Sequence, residues 1–117
     1  MTTWNYPRPP RVLKILHYEY RVRAMTKAEA EDEGEDKPAP WGFINHYRNE
    51  IALDPDLSPA TALEVILHEV LHGIWAAMLR YRPKVTEEDA TTAMGIGLAC
   101  VLSQNPLLRR WIDEVSR

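Results

Sequence analysis

One cysteine, one phenylalanine and five glycines are all that this 117-residue chain has of three residue types that often organise small folds. The lone Cys100 excludes an intramolecular disulfide and a cysteine-built zinc cluster, and its apolar neighbours predict a buried, inert thiol. No uninterrupted apolar run approaches the roughly 18 residues of a membrane span. Met1-Thr2-Thr3-Trp4 also lacks the basic and apolar segments of a secretory leader, so the expectation is a cytoplasmic protein with no membrane partner. Strong charge of one sign is missing too. With 14 Lys and Arg against 17 Asp and Glu, the net charge is -3, the basic residues are dispersed, and no nucleic-acid partner is expected. Internal repeats are lacking, and the length fits a single domain spanning 1–117, long enough for a modest core but too short for two lobes.

Pro7, Pro9 and Pro10 mark residues 1–11 as an extended arm. Val12 to Arg23 then alternates imperfectly between apolar and polar residues, as a strand does, with His17 inside it as a surface or half-buried residue. Residues 26–40 shift to Ala, Glu, Asp, Lys, Gly and Pro, an acidic, solvated stretch expected to begin as a helical turn and continue as a mobile loop. Trp41 to Asp54 carries apolar patches at Trp41–Ile44 and Ile51–Leu53 around the polar segment Asn45–Glu50, which reads as a hairpin or a strand with a turn.

Ser58 offers an N-cap oxygen and Pro59 is preset for the first helical position, so a helix is expected from about Pro59 to about Leu79, with Pro83 barring its continuation. Thr86 can cap a second long helix whose first turn holds Glu87, Glu88 and Asp89 and whose body, Ala90 to Leu102, is small and apolar. Asn105-Pro106 starts a third helix, with Leu107, Leu108, Trp111, Ile112 and Val115 at helical spacing. Its apolar face suits a lid on the core or a dimer contact.

The first of these helices contains His68-Glu69-Val70-Leu71-His72, an HExxH pattern. Histidines four apart stand one turn apart on one face and can reach a single zinc ion, while the glutamate between them can hold and deprotonate a water on the metal. The flanking runs Ala62–Leu67 and Gly73–Leu79 are apolar nearly all round, so the helix is expected to be buried. Two imidazoles and a carboxylate among leucines and valines need partners, and one divalent cation supplies a partner to all three. The competing reading is two core histidines hydrogen-bonded to backbone or to Glu69.

Catalytic zinc sites use three protein ligands and a water. A histidine six residues past the motif is not available, since Met78 stands there between Ala77 and Leu79. The nearest carboxylates are Glu87, Glu88 and Asp89; Glu88 is the first choice for a His, His, Glu shell and Glu87 the second. Six residues of helix beyond His72 climb about 9 Å, so the connection Arg80–Val85 must drop, or the helices must cross steeply, for either glutamate to reach the ion. The same triplet also serves simply as charge complementing the helix dipole. By residue type, His46, Tyr47, Arg48, Tyr81 and Arg82 are candidates to stabilise an oxyanion. Thr92 or Asn49 could orient the histidines, and Ile51–Leu53 could line the cleft rim for an extended peptide.

With HEVLH, the carboxylates of Thr86–Asp89 and the ending Gly97–Pro106 in view, the chain resembles small phage and prophage zinc-peptidase-like proteins of the gluzincin sort over about Trp41 to Trp111. The resemblance implies a strand before the HExxH helix and a ligand glutamate on the next one, matching Glu88 or Glu87. The polar residue expected four positions later is here Thr92 or Thr91, a weaker orienter than a carboxylate. The expected fold is α+β, a small N-terminal antiparallel sheet on a bundle of about three helices in a minimal zincin-like arrangement. The expected function is zinc-dependent hydrolysis of a peptide or protein substrate with Glu69 as general base. A non-catalytic interaction or assembly protein with structural zinc is the alternative.

Overall fold

The computed structural model describes residues 2–31 and 41–117. The alternating segment near the N-terminus forms two strands, β1 (Val12–Ile15) and β2 (Tyr18–Ala24), because the chain reverses at Leu16-His17 with Leu16 in the left-handed region at φ 58°. Val12 pairs Arg21 and Ile15 pairs Tyr18 across this antiparallel hairpin. Leu13, Ile15, Tyr20 and Val22 turn to the core, while Lys14, Glu19 and Arg21 face outward. His17 thus sits in a turn rather than within a strand, and it is exposed.

Thr26 closes a capping box with Glu29 at the start of the single-turn helix α1 (Lys27–Ala30), the helical turn expected there. The loop expected beyond it lies, over residues 32–40, outside the described residues. Strands β3 (Gly42–Asn45) and β4 (Glu50–Leu53) make the second hairpin, with Asn49 at φ 54° in its turn.

The four strands form one sheet in the order β1-β2-β4-β3. It is mixed rather than antiparallel, since β4 lies parallel to β2, with Val22 opposite Ile51. A parallel neighbour requires a crossover connection, which here runs from β2 to β4 and includes β3. β4 is consequently interior, with Ile51, Ala52 and Leu53 fully buried, and β3 takes the edge.

Helix α2 (Pro59–Met78) lies on this sheet, capped by the Ser58 hydroxyl, which accepts from the Thr61 amide at 3.2 Å. The approach is close: a Cβ added to Gly73 would fall 2.6 Å from Ile15 Cδ1, and one added to Gly42 would fall 2.6 Å from Val65 Cγ1. Helices α3 (Glu87–Gln104) and α4 (Pro106–Val115) complete an α+β fold. Asn105 at their corner is buried and grips β1, accepting from the Lys14 amide at 2.8 Å and donating to the carbonyls of Lys14 and Val101 at 2.7 Å each. The N-terminal arm is strapped down: Tyr6 donates to the Asp54 carbonyl at 2.8 Å and Trp111 Nε1 to the Pro7 carbonyl at 2.6 Å. No described helix is long and apolar enough to cross a membrane.

Candidate metal centre

Every helical turn shifts the face presented, and α2 uses this to divide its residues among three surroundings. Ala62, Val65, Ile66, Glu69 and Gly73 are buried, with Val65 and Gly73 meeting the sheet; Ile74 meets α3; His68, Leu71, His72 and Trp75 stay exposed. The helix is therefore not buried all round. The histidines are not core residues, which removes the reading of a buried, backbone-bonded pair.

His68 Nε2 and His72 Nε2 stand 3.0 Å apart, their rings inclined at 74° with centroids 4.7 Å apart. Nitrogens at that separation, each about 2.0–2.1 Å from one zinc ion, subtend about 94° at the metal, within easy relaxation of a tetrahedral angle. The donor set fits a divalent ion as two members of its shell. Glu69 points to the opposite requirement: it is 5% exposed and makes no hydrogen bond or ion pair with another described residue. Burial pushes its carboxyl above the usual range, opposed by positive charge on His72 and His68.

The third ligand expected from α3 does not join them. Gly97 packs against Ile74, and Ala93 lies beside Met78 and Leu79, so α3 returns antiparallel and its first turn stands level with the connection beyond α2. His72 is six residues below Met78, about 9 Å along the axis, and Asp89, Thr92 and Ala93 of α3 share a crevice with Met78 and Leu79, at the far end of α2 from the pair. Glu87 and Glu88 are exposed there, and Asp89 closes the capping box with Thr86 while pairing with Arg82 at 3.6 Å. Met94 is the α3 residue that reaches the groove of about 330 Å³ at the pair, which His68, Leu71, His72 and Trp75 also line. Among the described residues no three His, Cys, Asp or Glu side chains converge in a way that could hold a metal ion.

Thr92 lines a separate crevice with Met78, Leu79, Arg82 and Asp89, Thr91 donates to the Glu87 carbonyl at 2.8 Å, and Asn49 belongs to the β3–β4 turn. None of the three hydrogen-bonds His68 or His72 or lines the groove beside them. Cys100 is half-buried and free. The rim strand expected at Ile51–Leu53 is interior; the edge strand on that flank of α2 is β3, where Gly42 meets Val65 and Ile44 approaches Gly73.

Of the five oxyanion candidates, Tyr47 is wholly exposed, Tyr81 is 88% exposed, Arg48 and Arg82 are exposed, and Arg82 is engaged by Asp89. His46 differs. It directly follows β3, is half-buried, and its Nδ1 lies 3.1 Å from the hydroxyl of Tyr20, a side chain only 1% exposed. Burial lowers the tendency of His46 to protonate, and the nearby charges of Arg80 and His72 lower it further. Burial likewise raises the Tyr20 phenol, keeping its proton in place. Tyr20 and Met94 were not legible as site residues, because cross-strand and inter-helix neighbours leave no local spacing signal, whereas Leu71 and Trp75 follow His68 and His72 by three residues on the same helix face.

Compared with protein-family models, curated proteins and solved structures, the chain matches none of them.

Proposed function

We propose that this protein is a zinc-dependent peptidase that hydrolyses a peptide or protein substrate held across the groove above His68 and His72. The observation that carries this reading is Glu69, a carboxylate 5% exposed and without a hydrogen-bonding neighbour among the described residues, set between two imidazoles whose Nε2 atoms are 3.0 Å apart. A carboxylate on a mostly buried residue, without a protein partner among the described residues, is free to bond a water or a cation, which suits it to act as a base. His68 and His72 would hold the ion through Nε2. A bound zinc ion supplies Lewis acidity, lowering the pKa of water and polarising the scissile carbonyl.

Glu69 then accepts the proton of the attacking water as the new C–O bond forms. It returns that proton to the amine as the C–N bond breaks, and its raised pKa suits it to hold the proton in between. Among the described residues β3 has no neighbour on its outer side, and it runs along the same flank of α2, where an extended peptide can add as a further strand. A cytoplasmic setting belongs to this reading, supported by the lone cysteine.

The alternative, an interaction or assembly protein stapled by structural zinc, is less well supported. Such sites are closed shells of four protein donors, and here two exposed imidazoles face an open groove. The test is metal analysis joined to Glu69→Gln. Zinc content should be unchanged while cleavage falls by about 10²–10⁴-fold. Undiminished cleavage by the variant would remove Glu69 from the mechanism.

A further inference from the structure

A tetrahedral zinc ion takes four donors, and the described residues gather two of them. His68 Nε2 and His72 Nε2 meet 3.0 Å apart on the exposed flank of α2, and among the described residues no third His, Cys, Asp or Glu converges with them. Glu64, exposed one turn before His68, does not join the pair either. Half the shell is left to groups beyond the described residues. Water and peptide carbonyls offer neutral oxygens, against which the nitrogen of a further imidazole is the stronger ligand for zinc.

The surface around the pair is apolar. Leu71 is 37% exposed and Trp75 42%, and both line the groove together with Met94. Along α3, Met94, Leu98 and Leu102 follow at four-residue spacing, Leu102 being 37% exposed, and no charged residue occurs from Ala90 to Leu108. Glu64 is the one charged residue of α2 besides the buried Glu69. A second copy can therefore meet this face without bringing a run of like charges together. Its own face is the same one, and a two-fold axis through the ion lets each copy supply what it receives. These few partly exposed side chains fall short of the about 800 Å² per partner that holds a stable dimer, so the contact depends on the metal.

We propose that two copies of this chain share one zinc ion, each giving His68 and His72, and that this bridged pair is the resting form of the site. The resting role rests on the peptidase reading, whereas the bridge stands on the donor count and the apolar face. With four imidazoles on the ion no position is left for water, so Glu69 has no proton to accept. The second copy also covers the groove in which a substrate is held. Separation of the copies leaves one of them with the ion and opens two positions of its shell. Dilution and substrate both favour that separation, since each opposes the contact by mass action.

The experiment uses the full-length chain with zinc alone as the probe, followed by sedimentation, metal titration and zinc X-ray absorption. The titration should break at one ion per two chains, at which point the protein should sediment at twice its 13.5 kDa and return to a monomer in chelator. The absorption spectrum of that species should fit four imidazole nitrogens. His68→Ala and His72→Ala should remain monomeric with zinc, and Trp75→Glu should weaken the pairing by about tenfold or more while melting as the metal-free wild type does. Cleavage per chain of a peptide cut by the zinc-loaded wild type should rise by about tenfold as the protein is diluted through the midpoint of the dimer.

A titration that ends at one zinc per chain in a monomer would overturn the bridge and leave the peptidase reading standing. A dimer that survives both chelator and His68→Ala would overturn it as well, because the contact would not run through the ion. Equal cleavage per chain at every dilution of a bridged dimer would defeat its resting role. A bridged dimer whose diluted form cleaves nothing in a mixed peptide library would defeat the peptidase reading, and the resting role with it, while the bridge itself would stand.

Discussion

Two carboxylates in this protein are pushed in opposite directions by their surroundings, and pH separates their effects. Glu29 is held down to about 2 by its bonds to Arg23, at 2.8 and 2.9 Å, and by the amide of Thr26. A depressed acid stabilises the fold while ionised, so this contribution is complete above the ordinary value of 4.5 and fades as pH falls toward about 2. Glu69 is the reverse case: its carboxyl is raised by burial, so its contribution is best while protonated and worsens as pH climbs past the ordinary carboxylate range. Urea unfolding of the metal-free protein should show Glu29→Gln less stable than wild type at neutral pH, with the gap closing in acid. Glu69→Gln should be more stable at neutral pH, with that gain also disappearing in acid. A gap for Glu29→Gln that persists below pH 2 would show that its effect is not the ionised pair with Arg23.

At the scale of elements, the two long helices meet through a glycine whose role is steric. A Cβ on Gly97 would stand 2.3 Å from Ile74 Cγ2, closer than side chains approach, whereas a Cβ on Gly95 meets nothing within 4 Å. Gly97→Ala should cost about 1–3 kcal/mol by forcing α3 off α2. Gly95→Ala should be neutral or stabilising by up to about 1 kcal/mol, because it removes backbone freedom from a helix without a clash. Thermal melts of the two variants test this, and equal melting points would show that α2 and α3 are not held at the contact between Ile74 and Gly97. The same antiparallel contact keeps the first turn of α3 away from the histidines. The carboxylates chosen there from sequence were close along the chain, but helical rise separates them from His72 in space.

For the whole molecule, metal binding and folding are one equilibrium, since an ion seated only in the native state stabilises it. Zinc at about a hundred times its dissociation constant should add about 2.7 kcal/mol, which raises the melting temperature by roughly 10 °C in a domain of this size. His68→Ala and His72→Ala should each abolish that rise, and Glu87→Gln and Glu88→Gln should leave it intact. A rise lost in Glu88→Gln would show that α3 moves down to the ion, and no rise in the wild type would remove the metal from the function.

Much of this protein is local in origin and therefore legible in its residues. Ser58 with Thr61 and Thr86 with Asp89 start helices through bonds to residues three away, Pro106 is preset for the first helical position, and HExxH puts two imidazoles together because one turn separates them. What the sequence could not determine depends on pairs far apart along the chain. The parallel pairing that sends β4 inside and β3 to the edge, the bond from Tyr20 to His46, and the groove that Met94 lines together with Trp75 each join separate elements. Periodicity fixes which face of an element is apolar. Which element that face meets, and at what height, is decided only when the layers close on one another.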